Sequence, residues 1–333
     1  MRHVVCSLLV SCLFVGSAAA QSGPAVTGRV KPVLARPVMP YAPGYSEPVT
    51  MRQGTAYTSA RVAPSTPING GLALSSFALN YKNGDHKFQS IGISPLTENA
   101  EFRFTDRDGN DPFNLEAQWY MSKRWITYSV SAVGSGEFDI PFQGPSGATA
   151  VLSGFSFERA AGTDANVRTI GVRMLPSNRG VRVILMDDQG ADFRGFGLAI
   201  ASAFALSGGD PFGALAQLLP AAGTNLAFQE ISRSNGLRQF KVTVYYTFIP
   251  DALISARGSL SGASRFYESG RKPAQGDKVV LRGFLYHFAN SDHHLLQLGA
   301  NPANAAIGRQ IVYFQDNNRD DPIQWNMDYV VVQ

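Results

Sequence analysis

The sequence predicts a mostly β protein, built from repeated antiparallel β-sandwich units of jelly-roll type and interrupted by one small helical hairpin. Three observations predict it. The first is self-similarity: Leu74-Ser75-Ser76-Phe77, Asp85, Ile91-Gly92-Ile93 and the run Phe104 to Pro112 are matched by Leu281-Arg282-Gly283-Phe284, Asp292, Leu298-Gly299 and the run Phe314 to Pro322. A middle copy runs Leu152-Ser153-Gly154-Phe155, Asp164, Ile170-Gly171-Val172 and Leu185 to Asp192. Such recurrence identifies a building unit used about three times. The second observation is period-two alternation, as in Phe102-Arg103-Phe104, Leu115-Glu116-Ala117-Gln118-Trp119, Ile126-Thr127-Tyr128-Ser129-Val130 and Val242-Thr243-Val244-Tyr245, which puts apolar groups on one face of a strand. The third is punctuation by Gly, Asn, Asp and Pro at short intervals, which favours antiparallel strands over alternating α/β units.

Taken in order, residues 1–20 read as a secretory signal peptide. Arg2 and His3 precede the apolar run Val4 to Val15, and Ala18-Ala19-Ala20 before Gln21 is a small-residue cleavage pattern. The expected location is therefore secreted or periplasmic. The chain's two cysteines, Cys6 and Cys12, both fall in this leader, so the mature chain would hold no thiol and no disulfide. Residues 21–69 hold eight prolines and a single acidic residue, Glu47, against Arg29, Lys31, Arg36, Arg52 and Arg61. Each proline removes a backbone donor, and this composition predicts a Pro-rich, basic, extended linker. The first β-sandwich unit is assigned to 70–145 and the second to 146–277, with 278–333 a partial third unit or the completion of the second. Within the second unit, 195–229 carries one charge, Asp210, and Phe196 to Leu206 is Ala-rich without alternation. Gly208-Gly209 breaks it, Asp210-Pro211 is a cap followed by a first-turn proline, and Pro220 ends the next segment, so a helical hairpin is expected as an insertion.

Several function classes are excluded. The chain carries 29 Lys+Arg against 25 Asp+Glu, too mild a balance to argue for nucleic acid. No later apolar run of about twenty residues predicts a stable transmembrane anchor. There is no Gly-x-Ser-x-Gly elbow, phosphate-binding glycine loop or His-Glu-x-x-His, and the acids are accounted for by turns, so a non-enzymatic protein is expected.

Two loops offer a cation site. Asp106, Asp108 and Asn110, and again Asp316, Asn318 and Asp320, place oxygens at alternate positions, as a hard cation requires, and calcium is the candidate. An EF-hand would need Glu at the twelfth position, where Ala117 and Met327 stand. The other reading is a turn in which Asp and Asn bond their own backbone. His86 and His293 occupy equivalent places while the middle copy has Ala165; a zinc pair and solvated loop histidines are the two readings. Trp119, Trp325 and Tyr329 lie beyond the Asp-Pro loops. Their ring faces, with Asp111 and Asp321 accepting hydroxyl hydrogen bonds, would suit a sugar, and core filling is the competing reading.

Val151-Leu152-Ser153-Gly154-Phe155-Ser156-Phe157 with Asp164 to Arg168, and Val280 to Phe284 with Asp321-Pro322-Ile323 and Tyr329 to Val332, resemble the strand pattern of H-type lectin domains. The resemblance implies small antiparallel β-sandwiches that bind sugars such as N-acetylgalactosamine and commonly form trimers, with Asp111 and Asp321 the positions carried across. The expected function is an exported binding protein that recognises glycans or cell-surface polysaccharide, with homo-oligomer contacts through the helical insertion. The alternative is a structural or assembly component of the cell envelope or extracellular matrix without a small-molecule site.

Overall fold

The computed structural model describes residues 31–34, 47–57, 59–65, 67–96, 99–107, 111–159, 164–187, 239–318 and 321–333. The class is mostly β, in three antiparallel sheets. The strands are β1 (Lys31–Leu34), β2 (Glu47–Tyr57), β3 (Ser59–Val62), β4 (Gly71–Tyr81), β5 (Ser90–Pro95), β6 (Ala100–Thr105), β7 (Pro112–Ser122), β8 (Thr127–Gly134), β9 (Gly136–Pro141) and β10 (Ala148–Arg159). They continue as β11 (Thr169–Met174), β12 (Gly180–Met186), β13 (Phe240–Pro250), β14 (Ile254–Gly262), β15 (Ser269–Gly270), β16 (Lys278–Phe288), β17 (Gln297–Ala300), β18 (Val312–Gln315) and β19 (Ile323–Val332). The expected helical insertion at 195–229 lies outside the described residues, as does the leader. The described helical turns are three 3-10 segments, Pro176–Asn178, Asp251–Leu253 and Pro302–Ile307. No helix among the described residues is long and apolar enough to cross a membrane.

Strand order follows one rule three times. A long strand pairs on one side with a strand from later in the chain, giving β4–β7, β10–β13 and β16–β19. On its other side it accepts a short hairpin from elsewhere: β4 takes β17–β18, β10 takes β5–β6, and β16 takes β11–β12. Each hairpin follows one long strand in sequence and is spent on the next sheet, and the last returns to the first, so the three sheets close into a ring. Pairing therefore runs across the boundaries drawn at 145/146 and 277/278. The apolar faces also meet in one contiguous cluster that draws on all three sheets, rather than in one core per unit.

The middle of that cluster is a triangle of phenylalanines. Phe77, Phe155 and Phe284 have ring centroids 5.2, 5.4 and 5.1 Å apart at tilted or edge-on angles, the geometry that ring quadrupoles favour. Glycine is required where each hairpin crosses a long strand. A Cβ on Gly92, Gly171 or Gly299 would sit 2.4, 2.8 or 2.4 Å from the carbonyl oxygen of Phe155, Phe284 or Phe77, closer than any real contact. The three long pairs also break register at matching places, Leu74/Ser76, Leu152/Gly154 and Leu281/Gly283, as β-bulges that bend the strands. One bulge residue, Ser153, is fully buried, bonds Leu72 O, and lies 2.8 Å from Thr247 Oγ1. Thr247 Oγ1 also donates to Leu72 O at 2.7 Å, so β10 and β13 are both tied to β4 of another sheet.

The structure corrects the expected linker at 21–69. Glu47–Tyr57 pairs along β7 from Glu47↔Met121 to Tyr57↔Pro112, Ser59–Val62 pairs with β6, and Lys31–Leu34 pairs with β8. Val49, Met51 and Ala56 are buried. The prolines misled because β1 and β2 are outermost strands of their sheets, where a missing donor costs no ladder bond.

Candidate metal centres

Three isolated bridges close the ring at one end: His86↔Leu295, Phe88↔Ala165 and Val167↔His293. The loops that supply them follow β4, β10 and β16, and two begin alike, Asn83-Gly84-Asp85-His86 and Asn290-Ser291-Asp292-His293. Each histidine leans on an aromatic wall, His86 on Tyr81 at 4.8 Å and His293 on Phe288 at 4.5 Å between ring centres. Two carboxylates then arrive from one further loop. Asp106 and Asp316 directly follow β6 and β18, and Asp111 and Asp321 stand just before β7 and β19.

The two constellations match. His86 Nδ1 lies 3.1 Å from Asp111 Oδ2 and 3.6 Å from Asp106 Oδ2. His293 Nδ1 lies 3.0 Å from Asp316 Oδ2 and 3.5 Å from Asp321 Oδ2. In each, one ligand atom from every residue falls within 4.8 Å of the others. A four- or six-coordinate ion held at about 2.1 Å places its ligand atoms about 3.0–3.5 Å apart, close to these separations.

Asparagine side chains brace the second cluster. Asn290 Nδ2 donates to Asp321 Oδ1 at 2.8 Å, which turns Asn290 Oδ1 toward His293 Nε2 at 3.0 Å. A carboxamide oxygen only accepts, so the ring meets Asn290 through an Nε2–H, while its Nδ1 faces the two carboxylates. A ring nitrogen and two carboxyls thus converge, an arrangement that a shared proton or a bound cation satisfies. Asp321 Oδ2 is buried and has no hydrogen-bond partner among the described residues, in a side chain 9% exposed. Burial and the adjoining Asp321 push Asp316 above the usual carboxylate range. Burial also acts upward on Asp321, but bonds from Asp316 and Asn290 and the nearby His293 bring it below that range. In the first centre Asn83 Nδ2 likewise donates to Asp111 Oδ1 at 2.9 Å, but His86 Nε2 is buried with no hydrogen-bond partner among the described residues.

The middle corner is built differently. Ala165 replaces the histidine, and Arg159 ends β10 where Tyr81 and Phe288 end β4 and β16. Its Nη2 lies 3.9 Å from Asp187 Oδ2, with the guanidinium 5.1 Å from the centre of the Phe88 ring. A covalently attached cation occupies this corner.

Of the residues singled out in the sequence, Asp106, Asp111, Asp316 and Asp321 are brought together. Asp108, Asn110 and Asp320 lie outside the described residues. Asn318 contributes its backbone, donating N–H to Asp316 Oδ1 at 2.9 Å, the turn that was the alternative to calcium. The aromatic candidates require correction. Trp119, Trp325 and Tyr329 are each 1% exposed; Trp119 Nε1 donates to Ser153 O at 2.8 Å, Trp325 Nε1 to Ser264 O, and Tyr329 OH to Arg271 O. Burial pushes the Tyr329 hydroxyl up to about 12. They alternate inward with the other core residues of β7 and β19 and offer no ring face to a sugar. His86 and His293 are not solvated loop side chains, being 22% and 14% exposed, and each joins its own carboxylates rather than the other histidine. Sequence reasoning passed over Asn83 and Asn290, although the Asn-x-Asp-His spacing repeats in the two loops. No protein-family model matches the chain, and no curated protein matches its sequence.

Proposed function

We propose that this is an exported, non-enzymatic structural protein of the envelope or extracellular space, made of three copies of one strand-exchanging unit. Divalent transition-metal ions at His86–Asp106–Asp111 and His293–Asp316–Asp321 hold its ring. One observation carries the reading: His293 Nδ1 stands 3.0 and 3.5 Å from carboxylate oxygens of Asp316 and Asp321, with Asn290 bracing both the ring and Asp321. An imidazole donor beside two carboxylates suits zinc, manganese or iron better than calcium, which takes six to eight oxygens. Asn83 and Asn290 act as the outer partners that orient ligands and raise their basicity. With Cys6 and Cys12 confined to the leader, ions supply the cross-links that disulfides give other exported proteins.

Glycan recognition is the less supported function, because its aromatic carriers are core residues and Asp111 and Asp321 belong to the centres. Metal analysis of the mature protein purified without chelator tests the proposal. Two zinc-class ions per chain, and a melting temperature that falls on chelation, are expected. A metal-free protein whose melting temperature ignores both chelator and added zinc overturns it. Sugar binding on a glycan array that survives chelation would favour the lectin reading instead.

A further inference from the structure

We infer that the two metal centres are coupled, so that filling one raises the affinity of the other; this rests on the metal reading above. Their ligand loops are bonded directly to each other. Asn317, next to the ligand Asp316, donates its Nδ2 to Asp85 Oδ1 at 3.0 Å, and Asp85 precedes the ligand His86. His86 N–H donates to Leu295 O at 2.9 Å and Leu295 N–H returns a bond to His86 O at 2.8 Å, two residues from His293. Leu296 N–H donates to Gln315 O at 2.8 Å, one residue before Asp316. Gly84 makes the approach feasible: its φ is +136°, and a Cβ there would stand 3.3 Å from Asn317 Nδ2.

Placing Asp316 and His293 on an ion therefore places Asn317 and Leu295, and these place Asp85 and the backbone of His86. The ordering of the first centre is then partly complete before its own ion arrives, which appears as positive cooperativity, and linkage makes the effect reciprocal. The ring's other two contacts, Phe88↔Ala165 and Val167↔His293, lead to the corner held by Arg159, so the coupling runs along one side of the triangle.

Native mass spectrometry of the full mature chain during a zinc titration tests this. The singly loaded species is expected to stay well below the fraction that independent sites would give. His293→Ala is expected to weaken zinc at the remaining centre on the order of tenfold. Asn317→Ala, at an exposed position, is expected to keep both ions and restore independent loading, and Asp85→Ala provides a second break in the same contact. Independent loading of the unaltered protein, or a loading curve indifferent to both Asn317→Ala and Asp85→Ala, overturns the coupling while leaving the centres in place. Failure to take up any zinc overturns the metal reading itself.

Discussion

Asn290 Oδ1 lies 3.0 Å from His293 Nε2, and the same amide donates its Nδ2 to Asp321 at 2.8 Å, so one uncharged side chain sets the orientation of two ligands. Outer partners of this kind are worth about 10–100-fold in metal affinity. Asn290→Ala is therefore expected to weaken zinc at His293–Asp316–Asp321 by about that factor. Asn83→Ala, which removes the 2.9 Å bond to Asp111, should do the same at the other centre. Calorimetry on each variant reads the effect, and affinities unchanged by either substitution would mean that the amides only form turns.

The glycines where hairpins cross long strands set up a graded test of the ring. Gly92 and Gly299 have a carbonyl oxygen 2.4 Å from where a Cβ would lie, and Gly171 has one at 2.8 Å. Backbone is the obstacle in all three, so overpacking of about 1–3 kcal/mol or more is expected. Gly92→Ala and Gly299→Ala should lower the urea midpoint more than Gly171→Ala. A reversed order would show that the local sheet spacing is not set by these contacts.

Much of the fold was legible because its cause is local. The Phe, Asp and Gly spacings that drew attention in the sequence belong to the phenylalanine triangle, the Asn-x-Asp-His loops and the crossing glycines, each tied to a contact that tolerates few residues. The sharing of strands was not legible. Nothing in Ser90–Pro95 says that it will pair with β10 rather than fold back on β4, because an apolar strand reads the same wherever it is used. The edge strands Lys31–Leu34 and Glu47–Tyr57 were hidden by prolines that matter only to a central strand. The centres were half legible: alternate oxygens drew attention to Asp106 and Asp316, but the third ligand comes from a histidine about twenty residues earlier, delivered by tertiary pairing.

Trp119 illustrates how burial separates a binding residue from a structural one. Its ring is 1% exposed, packs edge-on against Phe102 at 6.2 Å, and donates Nε1–H to Ser153 O at 2.8 Å. Trp119→Ala is expected to cost about 3–5 kcal/mol, and Trp119→Phe less, chiefly the hydrogen bond of about 1 kcal/mol. Chemical denaturation followed by circular dichroism checks both. A Trp119→Ala protein of native stability that had lost sugar binding would return this residue to the ligand-binding class.

Glu137 carries the pH prediction. It sits on β9 beside β12, with its side chain 14% exposed and Oε1 3.4 Å from Arg182 Nη1. Burial pushes its carboxyl above the usual value; Arg182 acts against this shift, and Asp139 adds to it. Arg182 is itself committed to Asp139 by two bonds at 2.8 and 3.0 Å, which is why it does not fully compensate Glu137. A carboxyl raised on folding binds its proton more tightly in the native than in the unfolded state. Its contribution to stability is therefore present below the unfolded value and lost as pH rises through the folded one. Glu137→Gln cannot ionise, so it should be more stable than the unaltered protein at pH 7, with the difference vanishing by about pH 4. Thermal melts of the two proteins across that range read the effect. A glutamine variant less stable at pH 7 would mean that the ion pair with Arg182 outweighs the burial of the charge.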